Sequence, residues 1–90
     1  MDFPQYRKRF DNKSFYKVTS FTTFEEVQLV GKRFLIHVVH AKKYFEQLQI
    51  QDMLKSEMEM YQMSEAAEFE QHYKAAKEYI LNKKNNETNS

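Results

Sequence analysis

The segment Lys32–Ala41 (KRFLIHVVHA) is apolar at both parities of a strand. Successive side chains of a strand point to opposite faces, so a strand in this segment would be apolar on both faces. β-branched and aromatic residues dominate Phe34–His40, and this predicts a strand in the middle of an antiparallel sheet. The residues at one parity are Phe34, Ile36 and Val38, and those at the other are Leu35 and Val39.

Three further segments in the first half of the chain have strand character. Tyr6–Phe10 and Ser14–Thr19 flank Asp11-Asn12-Lys13, and together they predict a hairpin because Asn and Asp tolerate the left-handed backbone of tight turns. Residues 22–31 fit either a strand that ends in a turn at Gly31 or a helix of two turns. The strand is favoured because so short a helix is marginal without packing.

The second half of the chain is rich in good helix formers and predicts two helices. The first helix would span 43–61, and the second would begin near Ser64 with apolar residues recurring at intervals of three and four. The predicted fold is α+β, an N-terminal antiparallel β-meander of three to four strands followed by two C-terminal helices packed on the sheet. It forms a single domain over residues 1–83, and residues 84–90 are predicted to be a disordered tail.

Four short segments, PQYRKRF, NKSFYKV, FEEVQLVG and HAKKY, together resemble a family of short, uncharacterised bacterial proteins. The resemblance extends over about residues 3–54. It implies a cytoplasmic, stand-alone α+β domain. It brings no activity, cofactor or site residue with it.

Composition and charge limit the classes of function. The chain contains no cysteine, which excludes a disulfide framework and any thiolate metal cluster. The net charge of +1 conceals +5 over residues 1–45 and −4 over residues 46–90. Such a split indicates either that the two halves fold against each other or that the basic half meets an acidic partner. No segment has the length and apolar character of a membrane span, so a cytoplasmic location without membrane contact is expected.

No residue pattern indicates catalysis, a cofactor or a metal. His37 and His40 would point to opposite faces of a strand, whereas a metal site needs three or four converging ligands. The adjacent Glu25 and Glu26 likewise face apart, and one glycine cannot make a phosphate-binding loop. We therefore expect a protein that is not an enzyme.

The apolar sheet face that the helices leave uncovered is the first candidate site. An exposed apolar patch marks an interaction surface, and a two-fold contact between identical sheets is the commonest closed assembly, so a homodimer is expected. In the competing interpretation the 43–61 helix covers this face, and the chain is a monomer with a helix on each side of the sheet. The residues expected at the contact are Phe15, Phe24, Leu35 and Val39.

The basic and aromatic N-terminal hairpin is the second candidate site. Lys and Arg neutralise phosphates and exposed rings stack on unpaired bases, so this hairpin could bind single-stranded RNA. The same alternation also arises in an ordinary hairpin with its rings directed inward. The expected function is thus a small non-enzymatic interaction domain that self-associates, with a nucleic-acid-binding module as the alternative. The candidate nucleic-acid contacts are Arg7, Lys8, Arg9, Lys13, Lys17, Lys32 and Arg33.

Overall fold

The computed structural model describes residues 1–55 and 59–88, with side chains through Lys83. Its strands form one antiparallel sheet in the order β4-β3-β2-β1-β5. The α+β prediction is confirmed, because β1 to β4 form a meander and both helices come later in the chain. The elements are β1 (Gln5–Arg9), β2 (Ser14–Val18), β3 (Thr23–Val30), β4 (Arg33–His40), α1 (Tyr44–Leu54), β5 (Tyr61–Met63) and α2 (Ala66–Thr88).

Two residues with positive φ close the hairpins at one end of the sheet. Asn12 has φ 58° in the turn between β1 and β2, as the Asp-Asn signal predicts. Gly31 has φ 62° and is the first of two residues between the paired Val30 and Arg33. A glycine at this position is typical of the type II′ turn, whose twist matches that of the flanking strands. The favoured interpretation of residues 22–31 as a strand is therefore confirmed.

The sheet has two faces, and a helix packs on each. On the face that we term the α1 face, Tyr16, Val18 and Phe24 pack with Ile50 and Met53 of α1. On the opposite α2 face, the buried residues are Phe15, Val27, Phe69 and Ala76, the last two from α2. The apolar character of the central segment on both parities thus reflects a sheet that lies between two helices. A helix on each side of the sheet is the arrangement of the competing interpretation, in which the helix predicted within 43–61 covers the second face.

Phe15 and Phe24 lie in the core instead of at a contact surface, since each is only 2% exposed. Register also separates them: Phe15 pairs with Val27 on the α2 face, whereas Phe24 pairs with Val18 on the α1 face. The alternation within one strand does not show which of its side chains share a face with those of the next strand. That depends on the length of the turn that joins the two strands. Neither ring can contribute to a contact surface of the folded sheet.

Strand β4 is at the edge of the sheet instead of in the middle. It pairs with β3 alone, and the strand at the other edge is the three-residue β5. β5 begins at Tyr61, the last residue of the segment 43–61 that was predicted to be helical, and α1 ends earlier, at Leu54. The part of that segment at 56–58 lies outside the described residues.

Helix α2 extends through Thr88 and so enters the predicted tail 84–90. Residues 89–90 and the side chains of 84–88 lie outside the described part of the chain, so the disorder of this tail stays a prediction. Near the start of α2, the Ser64 hydroxyl donates a hydrogen bond to the Glu68 carboxylate. The predicted apolar positions Phe69 and Ala76 are buried, whereas Ile80 is exposed.

Replacing Phe15 or Phe24 by alanine should lower the free energy of unfolding by about 3–5 kcal/mol, because each leaves a cavity in one of the two cores. Phe10→Ala is the matched control, since Phe10 is exposed and its loss should cost within about 0.5 kcal/mol. Urea unfolding followed by circular dichroism measures all three. Small losses for Phe15→Ala and Phe24→Ala would contradict the burial of these rings.

Candidate interaction surfaces

The side of β4 turned away from β3, which we term the outer edge, has no strand paired to it in the described chain. Val30 and Arg33 close a two-residue hairpin, so they form a hydrogen-bonded pair, and such pairs then alternate along the ladder. The Ala41 N–H donates to the Thr22 carbonyl at 2.7 Å, which extends the same alternation. By this alternation, the N–H and C=O groups that point outward belong to Phe34, Ile36, Val38 and His40.

Apolar side chains flank the outer edge on both faces. Val38 is 61% exposed on the α2 face, and Leu35 is 41% exposed on the α1 face. Soluble proteins commonly protect an edge strand with a proline, a lysine or a short length. β4 has eight residues and contains neither proline nor lysine. The outer edge is therefore an open template for pairing with another strand.

The sequence of β4 is close to a mirror image about His37. Ile36 and Val38 flank it, and the next residues outward are Leu35 and Val39. All four are apolar and unlike His37. An antiparallel pair of identical strands centred on this residue would therefore match apolar side chains with apolar side chains.

The three histidines lie apart from one another. His37 Nε2 is 3.2 Å from Gln28 Oε1 on the α1 face, whereas His40 is at the end of β4 on the other face. His72 stacks on Phe15 with ring centroids 3.8 Å apart, and its Nδ1 is 2.9 Å from the Glu68 carbonyl oxygen. Among the described residues, no group of three or more His, Asp or Glu side chains could hold a metal ion.

Arg7, the first of the predicted nucleic-acid contacts, is buried beneath α1. Its Nε donates to the carbonyl of Met53 at 2.7 Å, and its Nη1 donates to the carbonyl of Tyr6 at 2.8 Å. Met53 is in the last turn of α1, whose carbonyls have no helical partner, and a cation also suits the helix dipole there. Burial lowers the pKa of Arg7. Arg7 therefore joins β1 to the end of α1 and cannot reach a phosphate.

The next two cations of the hairpin have intramolecular partners. Lys8 Nζ is 3.3 Å from the carboxylate of Glu68 in α2, and Arg9 Nε is 3.6 Å from that of Asp11. The hydrogen bond from Ser64 to Glu68, with the added hydrogen bond and charge of Lys8, holds the pKa of Glu68 below its usual value. The pair Lys8–Glu68 also connects the basic half of the chain to the acidic half.

The remaining predicted contacts do not form one surface. Lys17 is partly buried on the α2 face, where it pairs with Tyr6 and Glu25. Lys13, Lys32 and Arg33 are exposed at the end of the sheet that carries the hairpin turns. The Leu29 N–H donates to the Lys13 carbonyl at 2.7 Å, which places Lys13 beside the turn at Gly31. Only these three of the seven are grouped and exposed.

Exposed rings and lysines form a different surface at the opposite end of the sheet. Three rings are strongly exposed there: Phe45 at 80%, Tyr44 at 69% and Phe21 at 62%. Lys42 and Lys43 are exposed beside them. We term these five residues the ring–lysine surface. The string KKYF, which covers the end of the β4–α1 loop and the first two residues of α1, was a signal for it in the sequence, because none of its four side chains continues the buried pattern of either element.

No protein-family model, curated protein or solved structure matches the chain. The resemblance to a family of short bacterial proteins therefore stays a prediction. None of the described helices is both long and apolar enough to cross a membrane.

Replacing Arg7 by methionine should lower the free energy of unfolding by about 2 kcal/mol, because the carbonyl of Met53 loses a charged donor while the apolar stem of the side chain is retained. In a chain of this size the melting temperature should fall by roughly 10 °C. Thermal unfolding followed by circular dichroism measures the shift.

Lys8→Met is the control for this variant, since Lys8 is the next residue of the same strand and its ion pair is partly exposed. Its loss should cost at most about 1 kcal/mol. Equal melting temperatures for Arg7→Met and the unmodified protein would show that Arg7 has no part in holding α1 to the sheet.

Proposed function

We propose that the chain is a non-enzymatic interaction domain that self-associates through the outer edge of β4. Two copies would pair their β4 strands about a two-fold axis and form one continuous antiparallel sheet. The observation that carries this proposal is the outer edge of the eight-residue β4, which pairs with no strand of the described chain and has exposed apolar side chains on both faces. The pattern of apolar residues in the sequence predicted self-association through a sheet face. The packing of α1 and α2 on the two faces favours the edge instead.

The direction of the backbone groups selects a register for this pairing. A two-fold axis perpendicular to the sheet keeps each face continuous, so each residue must lie opposite a residue of the same parity in the second copy. Centring the pair on His37 sets Phe34 opposite His40 and Ile36 opposite Val38. All four residues direct their N–H and C=O groups outward, so about eight hydrogen bonds would form between the copies. Centring on Ile36 would form only about six.

Side chains support the same register on both faces. On the α1 face, Leu35 would lie opposite Val39 of the second copy. On the α2 face, Ile36 would lie opposite Val38 of the second copy. Apolar pairs of this kind each contribute roughly 0.2–1 kcal/mol to a sheet. Each pair occurs twice in the dimer because the axis repeats it.

Positive charge opposes the association and predicts its salt dependence. In this register the turn residues Lys32 and Arg33 approach Lys42 of the second copy, and all are exposed. Salt screens exposed charges with a Debye length of about 10 Å at 0.1 M. Added sodium chloride should therefore tighten the dimer, and sedimentation equilibrium at low and high salt measures this change. An unchanged or weaker association in salt would contradict the register.

A cytoplasmic location is part of the proposal. The absence of cysteine supports it, because small secreted domains commonly depend on disulfides for their stability. The proposal includes no cofactor, and it assigns the surface rather than a cavity as the functional part of the molecule.

Val38→Pro tests the edge directly. The N–H of Val38 points outward, so proline removes a hydrogen bond to the second copy while the ladder between β3 and β4 keeps its own. We expect this variant to remain folded and to sediment as a monomer at concentrations where the unmodified protein is a dimer. Val38→Lys should act similarly, because lysine on an edge strand disfavours edge-to-edge pairing.

Val30→Lys is the matched control, since Val30 is also an exposed valine but is on β3, beside the turn. It should leave the dimer intact at high salt, where the charge that it adds beside Arg33 is screened. An unmodified protein that is monomeric at every micromolar concentration tested would overturn the proposal. Dimers of Val38→Pro as stable as those of the unmodified protein would do the same.

A further inference from the structure

We infer that the ring–lysine surface, Phe21, Lys42, Lys43, Tyr44 and Phe45, binds single-stranded nucleic acid. This inference does not depend on the dimer: none of the five residues belongs to β4, and only Lys42 approaches the second copy in the proposed register. The sequence predicted a nucleic-acid contact on the basic N-terminal hairpin. The ring–lysine surface lies instead at the end of the sheet opposite the hairpin turns.

The loop that carries Phe21 is held in a fixed position although its ring is exposed. The Ala41 N–H donates to the Thr22 carbonyl at 2.7 Å, so the loop is joined to the segment that leads into α1. Hydroxyl groups stiffen the loop: Ser20 Oγ is 2.6 Å from Thr23 Oγ1. Phe3 meets the Phe21 ring at a centroid distance of 5.0 Å and an angle of 84°. The exposed ring of Phe21 is thus held by Phe3 and by its loop, so it has little freedom to lose on binding.

Tyr44 and Phe45 are fixed by the start of α1. The backbone N–H of Lys43 donates to the Glu46 carboxylate at 3.2 Å, within a capping arrangement that sets where the helix begins. The two rings have centroids 6.1 Å apart and lie at an angle of 63°. Burial of Ile50 and Met53 on the other side of the helix holds α1 on the sheet, so these rings have no core to enter. They remain exposed because the helix is anchored elsewhere.

The chemistry of the surface selects an anionic partner with flat faces. Lys42 and Lys43 form no ion pair with a carboxylate among the described side chains, and Glu46 is engaged at the backbone of Lys43. The acidic residues nearest in sequence to the rings are Glu46, beside Phe45, and the half-buried Glu25, four residues after Phe21. Every apolar side chain of the surface is a ring, with no aliphatic chain among them. Unpaired bases stack on such rings, and lysines neutralise the phosphates between them.

Fluorescence anisotropy with labelled oligouridine and oligothymidine at low salt tests the inference on the full chain. We expect binding that weakens steeply with added salt. Phe45→Ala and Phe21→Ala should each weaken it by about tenfold, through the loss of one stacked base. Replacing Lys42 and Lys43 together by glutamine should reduce the slope of log affinity against log salt by about 1.4.

Phe10→Ala and Lys13→Gln are matched controls, because both residues are exposed at the hairpin-turn end of the sheet. They should leave the affinity unchanged. The Val38→Pro variant should bind the oligonucleotides as the unmodified protein does. This result would separate nucleic-acid binding from formation of the dimer. The inference is overturned if no oligonucleotide binds at low salt, or if the control variants lose as much affinity as Phe45→Ala. Binding to vesicles of anionic phosphatidylglycerol without binding to oligonucleotides would overturn it in favour of a lipid surface.

Discussion

The pairing of β3 with β4 across the turn at Gly31 is the constraint on which the rest of the structure depends. With only two residues in the turn, Val30 must lie opposite Arg33, and every later pair of the ladder follows from that one. The register decides which side chains lie under α1 and which lie under α2. It also decides which backbone groups of β4 point away from the sheet. The core and the proposed interface are therefore consequences of the same turn.

The charged residues of the first strand serve the fold more than a ligand. Arg7 is directed onto the end of α1, and Lys8 meets Glu68 at the start of α2. One short strand thus helps to hold a helix on each face. The excess of positive charge in the first half of the chain is partly explained by contacts with the acidic second half. What remains for a partner lies at the two ends of the sheet, where Lys32, Arg33, Lys42 and Lys43 are exposed.

Local patterns were sufficient to predict the strands β1 to β4, because each depends on neighbours within a few residues. The Asn12 turn and the alternation on either side of it predicted the first hairpin, and the intervals of Phe69, Tyr73 and Ala76 predicted α2. Whether Phe15 and Phe24 lie on the same face of the sheet depends on the register of β2 against β3, and the sequence of a single strand does not reveal that register. β5 has only three residues and is stabilised by pairing with β1, so its own sequence carries little signal. The sequence does not predict the whole ring–lysine surface, because Phe21 and Tyr44 are far apart in the chain and reach the same end of the sheet only when it forms.

The outer edge of β4 is the central claim, and amide hydrogen exchange of this strand measures it most directly. The N–H groups of Ile36 and Val38 point away from β3, whereas those of Leu35 and His37 point toward it. If two copies pair through the outer edge, exchange at Ile36 and Val38 should slow as protein concentration rises, while exchange at Leu35 and His37 is slow throughout. Rapid exchange at Ile36 and Val38 at every concentration would contradict the account.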